Sequence, residues 1–137
     1  MPTTFEKLNL KDHENIVILN APESFEPEIA SLDGVMVLRK VKAKMEIHFL
    51  LAFVKMQDEV DAIAAQVIPL AKGDAIVWFA YPKGTSKKYK CDFNRDTGWD
   101  VLKQAGWDTV RAVAIDEDWS GLRFRRIEYV KKSIRRP

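Results

Sequence analysis

The chain is poor in the residues that carry most metal and nucleophile chemistry. It has one cysteine, Cys91, and two histidines, His13 and His48, among 137 residues. A lone cysteine rules out an internal disulfide and fits a reducing compartment. Two histidines far apart in sequence do not build a clustered metal site, so no metal is expected. No apolar run reaches the roughly 18 residues needed to span a bilayer. The longest, Ile47 to Val54, is interrupted by His48 and has the length of a strand. The opening MPTTFEKLNLKDHEN has no apolar signal core, and neither a P-loop nor a G-x-S-x-G elbow occurs. These absences point to a soluble cytoplasmic protein. Its 137 residues and 47% apolar content suit one domain over 1–137, with an ordered core from 8 to 130 and a basic C-terminal tail.

What is present reads as an α/β chain. NIVILN (15–20) is short, apolar and β-branched, a buried first strand. ESFEPEIASL (23–32) suits a short helix that tolerates Pro27 only in its first turn. Residues 35–38 form a second strand and 45–54 a third, apolar enough to be covered on both faces and to bury His48, which shares strand parity with Glu46. Val60, Ile63, Ala64, Val67 and Ala71 make one face of a helix over 57–72, with Pro69 breaking it late and Gly73 ending it. The fourth strand is 74–80, a helix capped by Asp96 covers 97–105, the fifth strand is 110–115 and the sixth 122–130. Leu122 and Phe124 share one parity, Ile127 and Tyr129 the other, which predicts a bulge near Arg125 and Arg126. The join between strands two and three is too short for a crossover helix. Either those strands form a hairpin or the chain runs extended beneath the sheet to the far side of strand one. The whole is a small three-layer Rossmann-like sheet of six strands, mostly parallel, ending in an antiparallel hairpin.

Charge is unevenly spread. Residues 1–82 hold 8 Lys/Arg against 12 Asp/Glu, a net of −4, while 83–137 hold 14 against 8, a net of +6. The loop after strand four carries Lys83, Lys87, Lys88, Lys90 and Arg95 interleaved with Tyr81, Tyr89 and Phe93. It leaves a strand end of the kind where open α/β sheets bind ligands, so Tyr81, Lys83, Ser86, Lys87, Lys88 and Arg95 are candidate contacts for an anion. The plainer alternative is a solvated loop whose aromatics pack on the sheet. Asp116 and Trp119, at the turn EDWSG, are candidates at the same end; as a clamp, Trp119 covers the sheet and Asp116 or Ser120 caps the turn. Cys91 has lysine neighbours that can lower a thiol pKa, but no histidine to pair with.

Three segments, NIVILNAPESF, WFAYPKGTSK and AIDEDWSGLRFRR, resemble a family of short bacterial proteins classed as a domain of unknown function. The matching features fall on Ala21, Pro22, Pro82, Lys83, Ser86, Asp116, Trp119, Ser120 and Leu122, and the likeness runs over residues 8–126. It implies no established activity. The strand–helix–strand–hairpin ending also resembles, more distantly, the Rossmann-like fold of class I methyltransferases.

A dinucleotide or S-adenosylmethionine site ordinarily needs glycines after strand one, so that backbone N–H groups approach the ligand. Here that turn reads Asn20-Ala21-Pro22-Glu23-Ser24-Phe25, with no glycine, no N–H at Pro22 and acids that repel phosphate. Arg39 and Lys40 stand where an acid for ribose hydroxyls is usual. No cofactor is therefore expected. The residues imply a non-catalytic domain that binds an anionic ligand or a protein partner. The alternatives are a divergent methyltransferase-like enzyme and a nucleic-acid binder using the basic C-terminal half.

Overall fold

A computed structural model describes residues 5, 8, 10, 15–32, 34–42, 45–83, 99–116 and 118–127. Six strands, β1 (Asn15–Leu19), β2 (Met36–Leu38), β3 (Ile47–Phe53), β4 (Ala71–Pro82), β5 (Trp107–Ala114) and β6 (Trp119–Arg126), form one sheet in the order β2-β1-β3-β4-β6-β5. β1 pairs parallel with β2 and β3, and β3 with β4. β6 runs antiparallel to both β4 and β5. The expected architecture is thus present, a mostly parallel α/β sheet closed by an antiparallel hairpin.

The strand order also settles the short join. β2 and β3 lie on opposite sides of β1, so the chain crosses beneath the sheet instead of turning back as a hairpin. Only residues 39–46 are available for that crossing, which an extended chain can span and a crossover helix cannot.

Helices cover both faces because consecutive residues of the central strands are apolar in both directions. On one face α2 (Gln57–Val67) and α3 (Asp100–Gln104) bury Val60, Ile63, Ala64, Val67 and Leu102 against Leu50, Val77, Phe79 and Phe124. On the other, a 3₁₀ turn (Glu23–Phe25), α1 (Glu26–Ala30) and the leading segment bury Phe25, Ile29, Phe5 and Leu8 against Ile16, Ile18, Phe49, Leu51 and Trp78. The Trp78 indole Nε1–H donates to the Leu8 carbonyl at 2.7 Å, tying the leading segment to the sheet. Pro27 is the second residue of α1, where its missing N–H has no helical partner to lose.

Several sequence expectations are corrected. α2 stops at Val67; Ile68 still has helical angles and donates its N–H to the Ala64 carbonyl at 3.0 Å, and Pro69, which has no N–H, cannot carry the ladder further. Gly73 does not end that helix; it lies inside β4, which starts at Ala71. His48 is not buried: its side chain is 53% exposed and sits 3.5 Å from Glu46. The reason is local, since the pairing jumps from Ile47↔Ala71 to Phe49↔Ile76 and β4 loops away from His48. The bulge falls on β5, not β6. Thr109 opposes Phe124 and Arg111 opposes Arg123, which leaves Val110 as the extra residue. β6 begins at Trp119 and ends at Arg126. The helix expected over 97–105 is observed as Asp100–Gln104, and Asp96, Cys91 and His13 lie outside the described residues. Among the described residues, no helix is long and apolar enough to cross a membrane.

Candidate functional site

β1 and β3 are neighbours, but their onward connections diverge: β1 leads through α1 to β2 at one edge, while β3 leads through α2 to β4 on the other side. Beyond their C-terminal ends, such a reversal leaves a crevice that the sheet itself does not fill. A cleft of about 410 Å³ lies there, lined by Asn20, Pro22, Glu23, Ser24, Phe53, Lys55, Glu59 and Trp119.

Each wall has a local cause. Asn20 follows β1 with φ 58°, the left-handed conformation. Asparagine reaches it more easily than other side-chain-bearing residues do, and glycine takes it at no steric cost. That turn redirects the chain into Pro22 and the 3₁₀ turn, where the Phe25 N–H donates to the Pro22 carbonyl at 2.9 Å. Phe53 closes β3 and meets Trp119 edge-on, with ring centroids 5.1 Å apart and planes at 82°. Both side chains are almost wholly buried, so the floor is aromatic and rigid. On its other side Phe53 packs against Phe25 at 5.0 Å, and Phe25 against Phe5 at 5.6 Å.

The third wall is the start of α2. The Glu59 carboxylate accepts the backbone N–H groups of Lys55 at 2.6 Å and Met56 at 3.0 Å. It thereby satisfies donors that a helix start leaves open, and it fixes the turn that carries Lys55 on the cleft rim. The lining is mixed in charge: an ammonium from Lys55, carboxylates from Glu23 and Glu59, and an amide and a hydroxyl from Asn20 and Ser24.

The sequence-derived candidates separate into three places. Trp119 lines the cleft. Asp116 and Lys83 meet through the β5–β6 turn and not directly. The Asp116 carboxylate accepts N–H bonds from Asp118 at 2.8 Å and Trp119 at 2.9 Å, while the Lys83 N–H donates to the Asp118 carbonyl at 2.8 Å. This is the clamp geometry, and it sets the position of Trp119. Tyr81 is buried on the α3 face, with its ring 5.9 Å from that of Trp99. Ser86, Lys87, Lys88 and Arg95 lie outside the described residues. Sequence reasoning passed over Phe53, Lys55 and Glu59, and read Asn20 to Ser24 only as a missing glycine pattern. The signal that finds them is topological, because the two strands bounding the crevice are set by the unusual β2–β3 crossing.

No family model matches this chain, and no curated protein does. Solved structures do. A SAM-dependent methyltransferase from Aquifex aeolicus superposes with a TM-score of 0.60 at 12% identity, over 89% of this chain and 87% of that one. The N-methyltransferase NodS from Bradyrhizobium japonicum WM9, in complex with S-adenosyl-L-homocysteine, superposes at 0.52 and 8% identity, over 82% and 78%. LepI in complex with SAM superposes at 0.54 and 9% identity, over 88% of this chain but 38% of that one. At these identities the likeness is one of fold. It corrects the expectation of a non-catalytic binding domain: the solved structures of this shape point instead to the alternative, a methyltransferase-like chain. The glycine pattern is absent after β1, yet Asn20 takes the left-handed conformation there.

Proposed function

We propose that this chain is a methyltransferase-like enzyme that binds S-adenosylmethionine in the cleft beyond β1 and β3. The observation carrying this reading is the cleft's position, at the switch point of a sheet shared with SAM-dependent methyltransferases. Its volume of about 410 Å³ is within the range of small-molecule sites. The lining suits a zwitterionic sulfonium. Phe53 and Trp119 close an apolar floor beneath the ligand, Lys55 matches a carboxylate, and Glu23 matches an ammonium or ribose hydroxyls. Pro22 offers no N–H, so side chains carry more of the recognition than backbone does. When bound, S-adenosylmethionine supplies an electrophilic methyl group. The protein's part is to orient it and to keep water from the floor that Phe53 and Trp119 close. Membership in the short bacterial family that the three motifs resemble, and a cytoplasmic location, belong to the same reading.

Isothermal titration with S-adenosylmethionine and S-adenosylhomocysteine tests it. Binding of both, weakened by Glu23→Gln and by Lys55→Ala at unchanged thermal midpoint, is the expected result. No heat and no thermal shift with either ligand, at concentrations up to about 1 mM, would overturn it.

A further inference from the structure

The far end of the hairpin carries a second feature, on a different surface from the cleft. Arg111 on β5 stands directly opposite Arg123 on β6. Arg125, two residues on, shares that face by strand alternation, and Asp74 of β4 binds it through two hydrogen bonds of 2.8 and 2.6 Å. Asp108 stands opposite Arg125, and its carboxylate accepts the Thr109 N–H at 2.8 Å. Arg111 is exposed; Arg123 and Arg125 are half-buried.

Sheets avoid like charges directly opposite one another, because they repel at about 5 Å. Here burial, and then Arg125, push the Arg123 guanidinium below its ordinary pKa, with Asp74 pulling the other way and Arg111 adding to the repulsion. The group nonetheless remains a cation. Such an arrangement lowers its energy when an anion comes between the forks. Guanidinium forks match phosphate oxygens two at a time. Along β6, the backbone positions of Arg123 and Arg125 are about 7 Å apart, near the separation of successive phosphates in an extended strand; Asp74 takes Nε and Nη2 of Arg125, so a phosphate would meet that residue at Nη1, and Arg111 adds a further fork alongside.

We propose that the hairpin face bearing Arg111, Arg123 and Arg125 grips the phosphate backbone of a single-stranded nucleic acid. The contact reads charge and spacing and not base sequence. It stands apart from the cofactor reading, since it uses none of the cleft residues.

Fluorescence anisotropy with a labelled single-stranded RNA of about 20 nucleotides tests it. The full chain is expected to bind and to lose roughly 20-fold in affinity between about 50 and 200 mM salt. The double variant Arg111→Gln/Arg123→Gln is expected to flatten the slope of log affinity against log salt by about 1.4, with its thermal midpoint unchanged or raised. Arg39→Gln/Lys40→Gln, which removes the same charge elsewhere, is expected to leave the slope within about 0.3 of the wild type. No binding at low salt, an equal loss in both double variants, or an unchanged slope in the hairpin variant would each overturn the proposal. So would equal affinity for poly-glutamate, which offers carboxylates at a different spacing. Because S-adenosylmethionine titration of the hairpin variant reads the cleft alone, failure of one site leaves the other separately measurable.

Discussion

The cleft at the end of β1 and β3 and the arginine face of β5 and β6 sit on one sheet, yet they are held in opposite ways. The cleft is shaped by packing and by hydrogen bonds that support one another. Aromatic rings close-pack beneath it, Glu59 caps the helix beside it, and Asp116 fixes the turn that sets Trp119. The arginine face is held against a local disagreement, since Arg111 and Arg123 confront each other across a strand pair. A site shaped by packing is damaged by any loss of packing; a site held against its own charge is relieved by losing charge. The two regions should therefore respond to substitution with opposite sign.

The largest break should come at Phe53. Phe53→Ala removes a buried ring in contact with Phe25 and Trp119, and urea unfolding should show a loss of about 3–5 kcal/mol. Next is Asp116→Ala, which strips the acceptor from two backbone N–H groups; about 1–3 kcal/mol should be lost by the same measurement. Asn20→Ala should cost about 1–2 kcal/mol for forcing alanine into the left-handed region. Asn20→Gly should stay within about 0.5 kcal/mol of the wild type, and calorimetry of the pair separates conformation from side-chain contact. On the other region, Arg123→Met should leave the thermal midpoint unchanged or raise it, because it removes a half-buried cation beside Arg125 and Arg111. A clear drop there would erase the contrast.

The smallest effect concerns neither region and serves as a reference. Arg39 makes a two-point contact with Glu26 at 2.9 Å, and that hydrogen-bonded pairing holds the Glu26 carboxyl below its ordinary range. A lowered folded pKa adds stability above the unfolded pKa, and that stability is lost as pH falls through the folded one. The urea midpoints of the wild type and Arg39→Gln should therefore differ slightly at neutral pH and converge in acid.

Much of the fold was legible because burial writes itself into local pattern. The apolar runs of β1, β3 and β4 and the spacing of Val60, Ile63, Ala64 and Val67 need no long-range information. What was not legible depended on partners. His48 reads as a buried strand residue until the opposite strand is known to loop away from it. The parity break after Phe124 suggested a bulge at Arg125 and Arg126, but β6 pairs regularly there and the irregularity is at Val110 on β5, which only the pairing reveals. The cleft was hidden for a similar reason. Asn20, Phe53, Lys55 and Trp119 come from distant segments, and no motif of fixed spacing joins them. Lys83 and Asp116 announced themselves by composition, and both belong to the turn that supports the cleft's Trp119.

β6 is the last in sequence of the described strands, but it is not at the edge of the sheet; it lies between β4 and β5. A ribosome adding about 5–20 residues per second delivers β4 with one side open and β5 with nothing to pair with. Both wait for Trp119–Arg126 to arrive. The waiting edge belongs to the strand that carries Trp78, Phe79 and Ala80, all fully buried once the sheet is complete. Nascent chains and premature stops before residue 119 thus present an apolar, unpaired strand of the kind that recruits other chains.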